Sequence, residues 1–103
     1  MNAVIKEIYN DWCTVIGKEN ISFTLAMKAE SLLCELDYYP SYIWNTEGKI
    51  VFEFTNRFPR KNLYIFVDEK FVTGKICDGK YLLEEFVYMN VDNINTVLDR
   101  FWE

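Results

Sequence analysis

"GKIVFEFTNRFPRKNLYIFVDEKFVTGKI", residues 48–76, is the stretch that decides the fold. Ile50, Phe52 and Phe54 fall on alternate positions, with Val51, Glu53 and Thr55 between them. Successive strand side chains point to opposite sides, so a period of two places these trios on opposite faces of one strand. Leu63, Ile65 and Val67 repeat the pattern against Tyr64, Phe66 and Asp68. Between the two runs lies a basic knot, Asn56-Arg57-Phe58-Pro59-Arg60-Lys61, in which Asn56 and Pro59 supply turn chemistry. A hairpin is the expected result.

Outward from that hairpin the period holds. "SYIWN" (residues 41–45) predicts a preceding strand, with a turn at Thr46-Glu47-Gly48. "FVTGKI" (residues 71–76) predicts a shorter strand after Asp68-Glu69-Lys70, and "KYLLEEFVYMN" (residues 80–90) holds a fifth beyond the hairpin dipeptide Asp78-Gly79. Short antiparallel strands that alternate apolar and polar residues form a meander with one face covered.

The flanks change period. Ile5, Ile8, Tyr9, Trp12 and Ile16 recur at helical spacing over about residues 2–16, and Gly17 is a natural stop. Ser22 or Thr24 can cap a second helix over 23–38, with a stripe of Leu25, Ala29, Leu32 and Leu36, before Pro40 ends it. At the other end, Asp92 or Asn93 can cap a helix over 93–102, where Ile94, Val97, Leu98 and Phe101 share one side. The expected fold is a single α+β domain over 1–103: two N-terminal helices, a four- to five-stranded antiparallel meander, and one C-terminal helix. Its expected core is Ile8, Trp12, Leu32, Leu36, Ile50, Phe52, Phe54, Ile65, Val97 and Phe101.

Composition supports one packed unit. Half of the 103 residues are hydrophobic and 17% are aromatic, which argues against disorder. The net charge of −5 is unevenly placed. Residues 1–48 carry three cations against seven carboxylates, 49–76 six against three, and 77–103 two against six. An acidic total disfavours a duplex-binding role and suits a partner with a basic surface. The N-terminal segment lacks the pattern of a signal peptide, and no apolar run has membrane-spanning length. A cytoplasmic protein without a membrane partner is expected.

Much chemistry is excluded. The chain has no histidine, which rules out every His-based triad, dyad and metal cluster. Cys13, Cys34 and Cys77 are odd in number and far apart, so they read as reduced packing residues with neither a disulfide nor a metal. No glycine-rich phosphate loop occurs, and no cofactor is expected. Glu84 and Glu85 are adjacent, so in a strand they point to opposite faces and read as one solvated and one edge-facing charge rather than a catalytic pair. Tyr38, Tyr39, Tyr42 and Trp44 crowd the junction of the second helix and the first strand, where aromatics plug a core end or, if on the surface, serve as hot spots of an interface. As a stacking platform for unpaired nucleic acid this cluster fails for want of flanking positive charge, so no direct nucleic-acid contact is expected.

Two groups remain as candidate contact sites. A turn requires none of Arg57, Phe58, Arg60 and Lys61, and a Phe between two arginines is a plausible anchor. Glu84, Glu85, Asp92 and Asp99 lie in the acidic C-terminal third and suit a basic partner surface.

From Trp12 to Val67, about half of the chain, the sequence resembles an uncharacterised family of small bacterial and mobile-element proteins. The shared pattern runs Trp12, Gly17, Ile21-Ser22, Ala29, Leu32-Leu33, Leu36, Pro40, then Gly48-Lys49-Ile50-x-Phe52-Glu53-Phe54 and Leu63-x-Ile65. Cys13 and Phe54 depart from it, standing where the family more often has an acidic residue and a Trp. The family carries no settled activity, so no catalytic residue transfers. In size and charge the chain is also similar to phage-encoded anti-CRISPR and anti-defence inhibitors, which occupy the basic surface of a nucleic-acid-binding protein. The expectation is a non-enzymatic inhibitor of a larger nucleic-acid-handling partner. A toxin-neutralising or immunity-type protein, and a small enzyme using carboxylates or Cys, are the alternatives.

Overall fold

The computed structural model describes residues 2–14, 21–58 and 60–103, with residues 10–14 described by backbone only. Helix α1 (Ala3–Thr14) and helix α2 (Phe23–Glu35) precede five strands, β1 (Tyr42–Thr46), β2 (Lys49–Arg57), β3 (Arg60–Val67), β4 (Val72–Asp78) and β5 (Tyr81–Phe86). Helix α3 (Val91–Trp102) closes the chain. The strands pair in sequence order, all antiparallel, as the alternation predicts.

Register explains the core. Ile43, Phe52, Ile65, Gly74 and Phe86 stand in one row across all five strands, on the face that the helices cover. Rows on either side hold Ile50, Val67 and Val72, and then Phe54, Leu63 and Ile76. Ile5 of α1, Leu25, Ala29 and Leu32 of α2, and Ile94, Leu98 and Phe101 of α3 pack onto these rows. A side chain at Gly74 would have its Cβ 2.8 Å from the Met89 sulfur and 3.1 Å from the Tyr64 carbonyl oxygen, so glycine makes room for Met89 in the core. Of the expected core, Leu32, Ile50, Phe52, Phe54, Ile65, Val97 and Phe101 are buried. Ile8 and Leu36 are half-buried against it, and the Trp12 side chain lies outside the described residues, as does Gly17.

Helix ends differ from expectation where side chains from elsewhere intervene. Ser22 caps α2 by accepting from the Leu25 N–H at 3.0 Å. The helix stops at Glu35, five positions before Pro40, because α3 caps it: Asn95 donates to the Glu35 carbonyl (3.1 Å) and accepts from the Asp37 N–H (2.9 Å). Helix α3 begins at Val91, earlier than predicted, and its cap is Asn90 rather than Asp92 or Asn93. Asn90 and Asn93 exchange side-chain hydrogen bonds with each other's backbone N–H, a reciprocal capping box, while Asp92 sits in the first turn, where the helix dipole favours an acid. At the β1–β2 turn both Glu47 (φ 49°) and Gly48 (φ 74°) are left-handed, the geometry that matches the twist of a two-residue hairpin. The β4–β5 turn falls one residue later than Asp78-Gly79, on Gly79-Lys80, since Asp78 pairs with Tyr81.

Candidate functional site

The basic knot forms the tip of the β2–β3 hairpin. Arg57 ends β2 and Arg60 opens β3 directly opposite it, while Pro59 lies outside the described residues. Lys61 is half-buried, and Phe58 is 90% exposed, which leaves it no part in the core. Asn56 fixes the tip: its Oδ1 accepts from the Phe58 N–H (3.2 Å) and its Nδ2 donates to the Phe101 carbonyl (3.1 Å). An exposed apolar side chain therefore stands on a frame tied to the end of α3.

The four acidic candidates do not form one patch. Glu84 faces the helices, where Arg100 holds both its oxygens at 3.1 and 2.9 Å. Glu85 points to the other side, opposite Lys75 in the register. This separation is the strand alternation that the sequence predicts for the two residues, and it breaks the expected grouping. Asp92 and Asp99 both lie on α3, seven residues or about 10 Å of rise apart.

A different acidic group gathers at the C-terminal end of α3. The Tyr38 hydroxyl donates to Asp99 at 3.0 Å, and Asp37 and Glu103 lie near enough to act on it. That hydrogen bond, with smaller contributions from desolvation and from the charges of Asp99, Asp37 and Glu103, raises the Tyr38 phenol above its ordinary range. The raised value means that folding favours the protonated phenol. The stability it adds is complete below the unfolded tyrosine value of about 10 and disappears as pH rises through the folded one. Denaturation midpoints at about pH 8 and pH 11 are expected to diverge less for Tyr38→Phe than for the unaltered protein. Equal divergence would show that Tyr38 is not held this way.

The sheet face away from the helices bears side chains that no single stretch of sequence brings together. Trp44 of β1, Tyr64 and Phe66 of β3, Lys75 and Cys77 of β4 and Leu82 of β5 line one depression of about 470 Å³. The Tyr64 and Phe66 rings are stacked, 6.3 Å apart at 22°, with the Lys75 ammonium 5.6 Å from each centroid. Asn62 donates to the Tyr64 hydroxyl (3.1 Å) and Trp44 Nε1 to Glu53 (3.3 Å). Val51, fully buried yet outside the main core cluster, is flanked by Trp44 and Phe66 in the register.

Catalytic groups are sparse. Cys34 is exposed near Glu30 (3.7 Å), Cys77 is buried, and both are free thiols. Cys13 lies outside the described side chains. Among the described residues no three Cys, Asp or Glu gather as a metal site, and no helix is long and apolar enough to cross a membrane. Comparison with family models, with curated proteins and with solved structures finds no match for this chain.

Proposed function

We propose that this protein is a non-enzymatic binding protein that inhibits or neutralises a larger nucleic-acid-handling partner. The tie from Asn56 to the Phe101 carbonyl carries this reading, because it sets the exposed Phe58 beside the acidic end of α3. Phe58 supplies an anchor between Arg57 and Arg60, and Asp37, Asp99 and Glu103 supply a negative field that steers a basic surface to the adjoining end of α3. Arg100 neutralises Glu84, so Glu84 contributes little to that field. The small size, acidic balance and likeness to anti-defence inhibitors agree with this arrangement.

A partner captured from a lysate of the source cells and identified by mass spectrometry supplies the test. Phe58→Ala is expected to weaken the purified complex by about 2 kcal/mol or more, mostly through a faster off-rate. Asp99→Lys with Glu103→Lys is expected to slow association and flatten its salt dependence. Added protein is expected to block the partner's hold on nucleic acid. A complex indifferent to both variants, or a partner whose nucleic-acid activity is untouched, refutes the proposal.

A further inference from the structure

We infer that the helix-free face of the sheet binds unpaired nucleic acid, with bases stacking on Tyr64 and Phe66 and cations of the same face meeting phosphates. This goes beyond the proposed function and centres on a different surface, which meets the hairpin tip at Arg57 and Arg60. Three observations support it. First, Tyr64 and Phe66 stand side by side on the middle strand, half-buried and stacked on each other, with Asn62 bracing the Tyr64 hydroxyl, so their rings are held ready at little ordering cost. Flat rings on an open sheet offer a surface on which any base can stack. Trp44, 37% exposed, adds a third aromatic at the β1 side of the depression.

Second, this face reverses the sign of the molecule. Lys49 and Arg57 of β2, Arg60 of β3 and Lys75 of β4 share its alternation, and Lys80 lines its edge. On the paired strands Glu53 and Glu85 oppose four of these cations, and Asp68 follows Phe66 on the same alternation just past the end of β3, in a chain whose total is −5. Glu53 already accepts from Trp44, and Glu85 tempers Lys75 from the neighbouring strand. Third, charges interrupt the aromatic positions across the strands: Tyr42, Glu53, Tyr64, Lys75 and Glu85 form one row, with Lys75 as its one cation. Protein interfaces are depleted of charge at their centre, so these charges suit a protein partner or a second copy of the chain poorly. A single strand offers flat rings and anions in alternation. Lys75, resting over both rings, swings to a phosphate when a base takes its place. A duplex has its base faces already stacked and lacks this fit.

Fluorescence anisotropy with labelled twelve-residue oligo-dT, oligo-U and a matched duplex tests the assignment. Both single strands are expected to bind at least about tenfold more tightly than the duplex, with affinity falling as salt rises from about 50 to 200 mM. Tyr64→Leu and Phe66→Leu, which keep apolar packing, are each expected to cost about tenfold. Lys75→Gln, a surface change with little bearing on folding, is expected to reduce the salt slope by about one. Phe58→Ala is expected to change nothing here, which separates this site from the proposed partner anchor. Absence of single-strand binding, equal binding of the duplex, or full affinity in the folded Leu variants overturns the inference. So does a dimer in sedimentation that Phe66→Leu dissociates, since a second copy would then own the face.

Discussion

Phe52→Ala is expected to lower the unfolding free energy by about 3–5 kcal/mol, the upper part of the range for core truncations. The reason is position. Phe52 is completely buried on β2, between Ile43 and Ile65 in the central row that the helices cover. Truncation removes most of a large apolar side chain, and the space left must either stay empty or be filled by movement. Filling is difficult here, because strands on both sides of β2 fix the backbone through paired hydrogen bonds. Two strands along the row the space is already used: Met89 sits against Gly74, which has no side chain to rearrange. Domains of this size are stable by about 5–15 kcal/mol, so one substitution removes a large share. Urea unfolding followed by circular dichroism reads the effect, with the slope expected to stay constant while the midpoint falls. A loss below about 1 kcal/mol would place Phe52 outside the core, contrary to its burial.

The legibility of Phe52 in the sequence has a plain cause. A strand period of two is local information, and residues 50–54 and 63–67 state it without ambiguity, so strand existence, pairing partner and buried face all follow. The tight connection between them then fixes the register. The same local rule sends Glu84 to Arg100 and Glu85 to the opposite face. What periodicity cannot state is which strands lie beside which outward-facing residues. Trp44, Tyr64 and Lys75 belong to three strands and meet only because the sheet order is a simple meander. In the sequence Trp44 stands instead with Tyr38, Tyr39 and Tyr42, which invites reading them as one cluster in an acidic setting. The fold disperses that cluster. Tyr38 joins Asp99 and Trp102 on α3, and Tyr39 accepts a hydrogen bond from Asn2, while Tyr42 and Trp44 turn to the helix-free face. Contiguity along the chain sets Trp44 among acidic residues, whereas the sheet sets it in one depression with Tyr64, Phe66 and Lys75. Helix ends show the same limit. Asn90, Asp92 and Asn93 are all competent caps, and in the fold Asn90 takes the place through its reciprocal box with Asn93, between the buried Met89 and Ile94.

Leu98→Ala is expected to cost about 2–5 kcal/mol and to loosen α3 more than removal of any polar tie that holds it. Helix α3 is attached in two ways. Ile94, Val97, Leu98 and Phe101 are buried against the sheet and α2, with Leu98 fully inaccessible. Around this stripe runs a set of polar ties: Asn95 to Glu35 and Asp37, Asp99 to Tyr38, Arg100 to Glu84, and the Phe101 carbonyl to Asn56. The magnitudes decide between them. The Arg100 and Glu84 side chains are 55% and 45% exposed, and such an ion pair contributes about 0–1 kcal/mol. Asn95 makes two hydrogen bonds at an exposed site, where water can replace each partner, so Asn95→Ala is expected to cost about 1 kcal/mol. Leu98 has no such substitute, because water gains nothing from an apolar hole. Hydrogen exchange is expected to show α3 amides losing protection in Leu98→Ala while β2 and β3 keep theirs relative to the new global stability. In Asn95→Ala the loss is expected at the last turn of α2, where the Glu35 carbonyl would lack its cap. If Asn95→Ala costs as much as Leu98→Ala, the polar ties and not the buried stripe hold the helix in place.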